Sequence, residues 1–153
     1  MNRPSPAQLL ERAVAAFQAG RWHEAESACR ALAAAGRDGF EVRYLLGLAA
    51  ERTGRAEEAV ALLSEAARLN PAHPETRFNL GVALARLGRF DEAVTAYDGA
   101  IALRAGFADA HFNRGVALAA LGRAGEALAA YGRAVALAPA DPQAHHNLGA
   151  TLA

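Results

Sequence analysis

Three asparagines recur in this chain at a constant interval of 34 residues, at Asn79, Asn113 and Asn147. A carboxamide has one acceptor oxygen and two N–H donors, so it matches the C=O and N–H groups of an extended peptide whatever that peptide's side chains are. Asparagine is an indifferent helix former, and its return at one register therefore indicates a role in binding. The open alternative is that these amides are solvated or bridge the neighbouring helices that carry them.

No arrangement of residues typical of a catalytic or metal site is visible. The chain has no lysine, which excludes a phosphate-binding loop of the G-x-x-x-x-G-K type, and it lacks the G-x-S-x-G and H-E-x-x-H motifs. His111 and His145 lie one interval apart, but a zinc ion shared by them would still lack two ligands. We therefore expect no enzymatic activity in this chain, no cofactor and no metal.

The composition favours closely packed helices and a partner other than nucleic acid. Of the 153 residues 53% are hydrophobic, but 42 are alanine, which has the best helix propensity and lets helix axes approach. Sixteen arginines balance sixteen acids, so the chain lacks the basic surface that binds phosphate backbones. A single cysteine, no apolar run of about 18 residues and no signal-like N-terminus predict a cytoplasmic protein without a membrane span.

A longer pattern with the same interval organises the whole chain. Gly, Arg, Glu and Ala fall in register in four hexapeptides, which are GRWHEA at 20–25, GRAEEA at 54–59, GRFDEA at 88–93 and GRAGEA at 122–127. A second series of glycines lies inside stretches patterned as helix, where glycine costs about 1 kcal/mol relative to alanine. We expect close helix contacts at these positions, which are Gly47, Gly81, Gly115 and Gly149.

Each repeat is predicted to form a helix A, a tight turn and a helix B. In the third repeat Pro74 suits a first helical turn, Gly88 ends helix A, and helix B spans 90–103. Repeats of this length stack, because one repeat alone cannot bury its apolar face. The predicted organisation is a tail at 1–5, repeats at 6–39, 40–73, 74–107 and 108–141, and the helix A of a fifth repeat at 142–153.

The residues at fixed positions of each repeat resemble the tetratricopeptide repeat (TPR) family. The family pattern is found in Leu80, Gly81, Leu84, Ala93, Tyr97 and Ala100, and again in Gly115, Leu118, Ala127, Tyr131, Ala134 and Pro139. The first repeat is degenerate, with Ala13 in place of the glycine and Cys29 in place of the aromatic residue. The resemblance implies an all-α solenoid of antiparallel helix pairs stacked into a right-handed superhelix, with the A helices lining its concave groove.

The groove residues are predicted to lie opposite the packing signature of each helix A. In the third repeat this outer face is about 180° from Gly81 around the helix. It carries Glu75, Asn79, Val82 and Arg86, and its equivalents in the second repeat are Glu41, Leu45, Leu48 and Arg52. The predicted peptide-binding residues are Asn79, Asn113, Asn147, Glu41, Glu75, Asp109, Gln143, Arg52 and Arg86. The acids would favour a basic ligand, and the alternative for them is a solvated first helical turn.

Two groove uses within the family can be compared with these residues. The asparagine series resembles the ladder in the peptide-binding superhelix of O-linked N-acetylglucosamine transferases. The clamp for chaperone C-terminal tails would need lysines where this chain has Tyr44 and Asp109. The resemblance therefore implies a protein or peptide partner that is not a chaperone tail. The aromatic residues Tyr44, Phe78 and Phe112 flank the face, and packing between repeats is the alternative to ligand contact.

Two hypotheses of function follow. The first is a protein-protein interaction scaffold that binds an extended peptide segment of a partner in the A-helix groove. The alternative is the N-terminal substrate-recognition arm of a larger enzyme, such as a glycosyltransferase similar to the O-linked N-acetylglucosamine transferases. The apolar face of the last helix, with Leu148, Gly149 and Leu152, indicates that the protein continues beyond Ala153, and this face could also mediate self-association.

Three further expectations concern residues outside the groove. Cys29 should be a small buried residue, because it takes the position of Leu63, Tyr97 and Tyr131. Trp22 should pack at a helix junction. Each turn arginine could pair with the glutamate three residues later, in the pairs Arg21–Glu24, Arg55–Glu58, Arg89–Glu92 and Arg123–Glu126. The alternative for these arginines is a partner-binding edge.

Overall fold

The computed structural model describes residues 3–153, and the elements it contains over that range are helices joined by turns. They are α1 (Pro6–Gln18), α2 (Trp22–Ala34), α3 (Phe40–Arg52), α4 (Ala56–Leu69), α5 (Pro74–Arg86), α6 (Phe90–Leu103), α7 (Ala108–Ala120), α8 (Ala124–Leu137) and α9 (Pro142–Leu152). The predicted all-α fold is confirmed. Residues 1 and 2 of the predicted N-terminal tail lie outside the described residues, and Ser5 caps the N-terminus of α1.

The helices form two compact units, which divide between Pro71 and Ala72. In the N-terminal unit α1 packs against α2, α2 against α3, and α3 against α4. In the C-terminal unit the packing order is α5, α6, α7, α8 and α9, and α5 also approaches α7. Odd-numbered helices are therefore the A helices of the repeats, and even-numbered helices are the B helices.

The turn from helix A to helix B has the same geometry in four repeats. Its glycine adopts a positive φ between 71° and 80°, at Gly20, Gly54, Gly88 and Gly122. The next N–H then donates to a carbonyl five residues earlier, for example from Arg89 to Leu84 at 3.0 Å. This is the Schellman type of helix end, which only glycine adopts without steric cost. The recurring Gly-Arg dipeptide is the sequence signal of this turn.

Glycines inside the A helices let helix B of the same repeat approach closely. A Cβ added at Gly81 would lie 2.5 Å from the ring of Tyr97, and one added at Gly115 would lie 2.7 Å from the ring of Tyr131. At Gly47 the neighbour is Leu63, also at 2.7 Å. The predicted close contacts are confirmed at these three positions. The prediction is not tested at Gly149, because α9 is the last helix that the structure describes and no atom of residues 3–153 lies within 4 Å of a Cβ added there.

The first repeat has a smaller side chain where the others have a large one. Cys29 is fully buried, as expected, and it lies in a cluster with Ala13, Leu32 and Val42. Burial, together with the nearby charge of Glu26, raises the pKa of the Cys29 thiol to about 11. The thiol is therefore protonated near neutral pH and packs as an apolar group.

Candidate functional site

The C-terminal unit places the three recurring asparagines at the same register of its three A helices. Asn79, Asn113 and Asn147 are each the sixth residue of α5, α7 and α9, and each side chain is half-buried. We call these three residues the asparagine row. Because they share one register and one burial class, a single extended ligand lying across the A helices would meet one amide per repeat.

The amides of the asparagine row also make contacts within the protein. Asn79 Nδ2 donates to the backbone carbonyl of Glu75 one turn earlier, at 2.8 Å. Burial raises the pKa of Tyr131, and a hydrogen bond from Asn147 opposes that rise. Asn147 therefore links α9 to the B helix α8, whereas the alternative predicted bridges between neighbouring A helices. All three asparagines are nonetheless partly exposed to solvent.

Of the predicted acidic groove residues, Glu75 is already neutralised within the protein. Arg104 forms a salt bridge with its carboxylate, and His73 Nε2 lies 3.5 Å from it. Desolvation raises the pKa of Glu75, but the hydrogen bond and charge of Arg104 outweigh this and lower the pKa below its ordinary value. Glu75 is thus a poor candidate for attracting a basic ligand. Glu41 and Asp109 are exposed.

The predicted groove arginines have different surroundings. The guanidinium of Arg52 lies 5.6 Å from the ring centroid of Trp22 and 3.3 Å from the carboxylate of Glu51. Trp22 also makes an edge contact with Phe17, with centroids 5.0 Å apart, so its predicted place at a helix junction is confirmed. Arg86 is the last residue of α5 and is exposed.

One residue of the predicted outer face points inward. Leu48 is only 8% exposed, so its predicted position in the groove is wrong. The number of helices around α3 does not explain this, because α7 also packs against three helices and its equivalent residue Val116 is 39% exposed. The adjacent Leu45 is half-buried and packs against the hydrophobic cluster of the N-terminal unit.

The flanking aromatic residues contact rings of their own repeats, whereas the alternative for them predicted packing between repeats. Phe78 contacts Tyr97 with ring centroids 5.9 Å apart and Phe107 at 4.9 Å. Phe112 contacts Tyr131 at 5.8 Å. Tyr44 stacks on Phe40 at 5.7 Å. Ring packing of this kind positions the A helices that carry the asparagine row.

Phe112 also lines a cavity of about 420 Å³ between α7 and α9. The other lining residues come from the first two turns of α9 and include two of the predicted peptide-binding residues. They are Pro142, Gln143, His146 and Asn147. The cavity therefore joins an aromatic surface to the amides of Gln143 and Asn147.

A buried ion-pair network in the N-terminal unit is absent from the sequence-based predictions. Glu26 on α2 is 8% exposed and accepts two hydrogen bonds from Arg55, at 2.8 and 3.0 Å, while Arg30 lies 2.5 Å away. The hydrogen bonds from Arg55 lower the pKa of Glu26, against the effect of burial. Its position in the repeat could have indicated the burial of Glu26, since the later repeats have aliphatic residues there, namely Val60, Val94 and Leu128.

The predicted turn pairs are confirmed. The arginine and glutamate atoms lie 2.8 Å apart in Arg21–Glu24, 3.0 Å in Arg55–Glu58, 2.6 Å in Arg89–Glu92 and 2.7 Å in Arg123–Glu126. Three of these pairs are largely exposed on both sides, so each contributes little to stability. Among these four arginines, Arg55 is the one that pairs both with its turn glutamate and with a buried residue, Glu26.

The two histidines considered for a metal site hold loops instead. His111 Nε2 lies 2.9 Å from the carbonyl oxygen of Ala105, and His145 Nε2 lies 2.8 Å from that of Pro139. Each histidine N–H thus fastens the loop that precedes its own helix. Within residues 3–153 no group of three or more His, Cys, Asp and Glu side chains could hold a metal ion. None of the helices described in that range is long and apolar enough to cross a membrane.

Comparison with known proteins identifies the repeat. The tetratricopeptide repeat family model matches residues 10–74, 44–106 and 78–144. No curated protein matches the sequence significantly. MamA is similar in fold with a TM-score of 0.88 and 22% identity, covering 95% of this chain and 80% of MamA.

Two further solved structures are described as binding peptides. YrrB, a TPR protein with an unusual peptide-binding site, has a TM-score of 0.85 and 25% identity over 93% of this chain and 73% of its own. The first TPR domain of Spaghetti (RPAP3), bound to the HSP90 peptide SRMEEVD, has a TM-score of 0.72 and 26% identity over 74% of this chain and 90% of its own.

Proposed function

Because the chain belongs to the tetratricopeptide repeat family, we propose that it is an interaction scaffold whose A-helix face in the C-terminal unit binds an extended peptide segment of a partner protein. The observation that carries this proposal is the asparagine row, with three half-buried amides at one register of α5, α7 and α9. The peptide ligands of YrrB and RPAP3 support the same class of ligand here.

Hydrogen bonds from the asparagine row alone would give weak binding. A net hydrogen bond contributes about 0.5 to 1.5 kcal/mol, so three residues with one or two bonds each supply roughly 1.5 to 9 kcal/mol. Association costs about 4 kcal/mol or more, and ordering the peptide adds to that cost. Side-chain contacts must therefore supply part of the affinity and most of the specificity.

The charge of the face supports a basic partner over an acidic one. Asp109 is exposed, and the chain has no lysine to hold a terminal carboxylate. The acidic HSP90 peptide bound by RPAP3 would be repelled by Asp109. We therefore also propose that a chaperone C-terminal tail is not the partner.

The proposal is tested by substituting the asparagine row. Peptides selected from a random display library on the full chain are measured by fluorescence polarisation against the wild type and against Asn79→Ala/Asn113→Ala/Asn147→Ala. Loss of three hydrogen bonds of about 1 kcal/mol each should weaken binding by about a hundredfold or more. Helical circular dichroism checks that the variant folds.

A matched control removes three exposed polar side chains from B helices instead. Ser27→Ala/Ser64→Ala/Thr95→Ala lies on α2, α4 and α6 and should bind the same peptides as the wild type does. Equal affinity of the asparagine variant and this control would reject the proposal. The enzyme-arm alternative and self-association through the last helix stay predictions, which the sequence downstream of Ala153 and sedimentation of the protein would test.

A further inference from the structure

In the C-terminal unit the loop between α6 and α7 covers α5 with two of its own side chains. The ring of Phe107 stacks on Phe78 with centroids 4.9 Å apart. The guanidinium of Arg104 lies 4.8 Å from the centroid of Phe107 and pairs with Glu75. Arg104 and Phe107, three residues apart in the loop, thus contact the carboxylate and the phenyl ring of helix A.

The helix A of the next repeat, α7, also carries an acidic residue and a phenylalanine at these positions. Asp109 and Phe112 on α7 stand at the positions of Glu75 and Phe78 on α5. Phe112 rests on a tyrosine of helix B at 5.8 Å, as Phe78 does at 5.9 Å. Both helices therefore offer a carboxylate and a phenyl ring one turn apart.

The loop between α8 and α9 does not supply the covering side chains. Ala138 and Asp141 stand where the preceding loop has Arg104 and Phe107. Asp141 instead caps α9, because its Oδ1 accepts from the backbone N–H of Gln143 at 2.9 Å. Asp109 is exposed and makes no ion pair within residues 3–153.

The cavity of about 420 Å³ lies on this part of α7. Phe112 lines one side, and Gln143, His146 and Asn147 of α9 line the other. Ligand pockets commonly combine an apolar surface with a few polar groups that fix orientation, in volumes of about 300 to 1,000 Å³. The cavity has both features, and it includes one residue of the asparagine row.

We propose that this cavity is a side-chain pocket of the peptide-binding face, which takes an aromatic residue of the partner while a neighbouring arginine of the partner pairs with Asp109. The inference rests on the proposed function and adds the class of peptide, one that carries arginine close to an aromatic residue. Arginine is preferred to lysine because its planar group both stacks on a ring and pairs with a carboxylate, as Arg104 does.

The test uses this chain's own covering segment as the probe. The capped hexapeptide Leu-Arg-Ala-Gly-Phe-Ala, which repeats residues 103–108, is titrated into the ¹⁵N-labelled full chain and followed by NMR. Two variants at Asp141 are compared, and they differ from each other only in the side chain that they place next to the pocket. Asp141→Phe supplies the ring that Phe107 supplies one repeat earlier, whereas Asp141→Ala removes the same helix cap without filling the space.

We expect shifts at Gln143, His146 and Asn147 in the wild type and in Asp141→Ala, with affinities within about twofold. Asp141→Phe should bind at least about fivefold more weakly, and so should a hexapeptide with alanine in place of phenylalanine, because a ring contact is lost. Asp109→Asn should weaken the arginine-containing peptide but not one with alanine in place of arginine.

Two results would overturn the pocket. One is the absence of shifts on α9 in the wild type, and the other is equal binding by Asp141→Phe and Asp141→Ala. Neither result rejects the wider peptide-binding face, which is judged by the asparagine variant with library-selected peptides. Conversely, loss of the asparagine effect with a working pocket would reject the extended face alone.

Discussion

The contact between α2 and the turn that follows α3 is polar, whereas the equivalent contact of the C-terminal unit, between α6 and the turn that follows α7, is apolar. We call these two contacts the polar joint and the apolar joint. Glu26 is buried at the polar joint and is held by Arg55. At the apolar joint Val94 takes the buried position, and Arg123 pairs with Glu126, three residues later in the sequence. The same repeat geometry therefore tolerates either a buried ion pair or an aliphatic side chain.

The two regions also differ in the residue that packs against helix A. Tyr97 and Tyr131 fill this position in the C-terminal unit, and each ring lies against a glycine. In the first repeat Cys29 fills it, and Ala13 replaces the glycine. A smaller side chain on one helix is thus accompanied by a larger one on the other, but the added methyl group fills only part of the volume that a tyrosine ring occupies.

The largest expected effect comes from emptying the aromatic position. Tyr97→Ala removes a buried ring and should lower the free energy of unfolding by about 3 to 5 kcal/mol. Cys29→Ala removes one sulfur atom and should cost about 1 kcal/mol. Urea unfolding followed by circular dichroism measures both. Similar losses for the two variants would contradict the claim that the aromatic residue dominates this contact.

Breaking the polar joint should come next. Arg55→Met leaves Glu26 buried beside Arg30 alone and should cost about 1 to 3 kcal/mol, less than a fully buried pair because Arg55 is 35% exposed. Arg123→Met, the matched control at the apolar joint, should change urea unfolding little. The double variant Glu26→Val/Arg55→Met copies the apolar joint and should recover most of the loss. If the double variant recovers none of the lost stability, the claim that the repeat accepts an aliphatic side chain in place of this ion pair is wrong.

The close-approach glycines give a smaller effect. Gly81→Ala forces a methyl group against Tyr97 and should destabilise the protein by about 1 to 2 kcal/mol, because overpacking outweighs the gain in helix propensity. Gly149→Ala meets no described atom and should be neutral or stabilise by up to about 1 kcal/mol. Thermal unfolding of the two variants should therefore shift in opposite directions, and equal shifts would contradict the packing role of Gly81.

The smallest effect is the pH dependence of the polar joint. The pKa of Glu26 lies below its ordinary value of 4.5 in the folded protein, so its contribution to stability is present above that value and is lost as pH falls through the folded pKa. Glu26→Gln should therefore be less stable than the wild type at pH 7, and the difference should shrink as the pH falls below 4.5 and through the lowered pKa of Glu26. A difference independent of pH would contradict the pairing.

The repeat determined most of what could be predicted from the sequence. Gly88 and Phe90 mark the end of one helix and the start of the next, because glycine with a positive φ stops a helix in a way that local sequence encodes. The asparagine row follows from the interval alone. Side-chain contacts between residues distant in sequence were harder to predict, since they depend on which side chains meet once the helices and loops have packed.

Glu26, Arg104 and Phe107 illustrate this limit. Each departs from the residues at its position in the other repeats, yet a departure in a repeat does not reveal its partner. The pairing of Glu75 with Arg104, 29 residues away, became visible only with the loop in place. The burial of Leu48 likewise does not follow from the periodicity of the repeats, since the equivalent Val116 on α7 is 39% exposed.

The central claim is that an extended peptide binds across the A helices of the C-terminal unit. Its most direct test is an NMR titration of the ¹⁵N-labelled full chain with a library-selected peptide, read at every backbone amide. The account predicts that the largest shifts lie on α5, α7 and α9 around Asn79, Asn113 and Asn147. Shifts confined to the B helices α6 and α8 would contradict it.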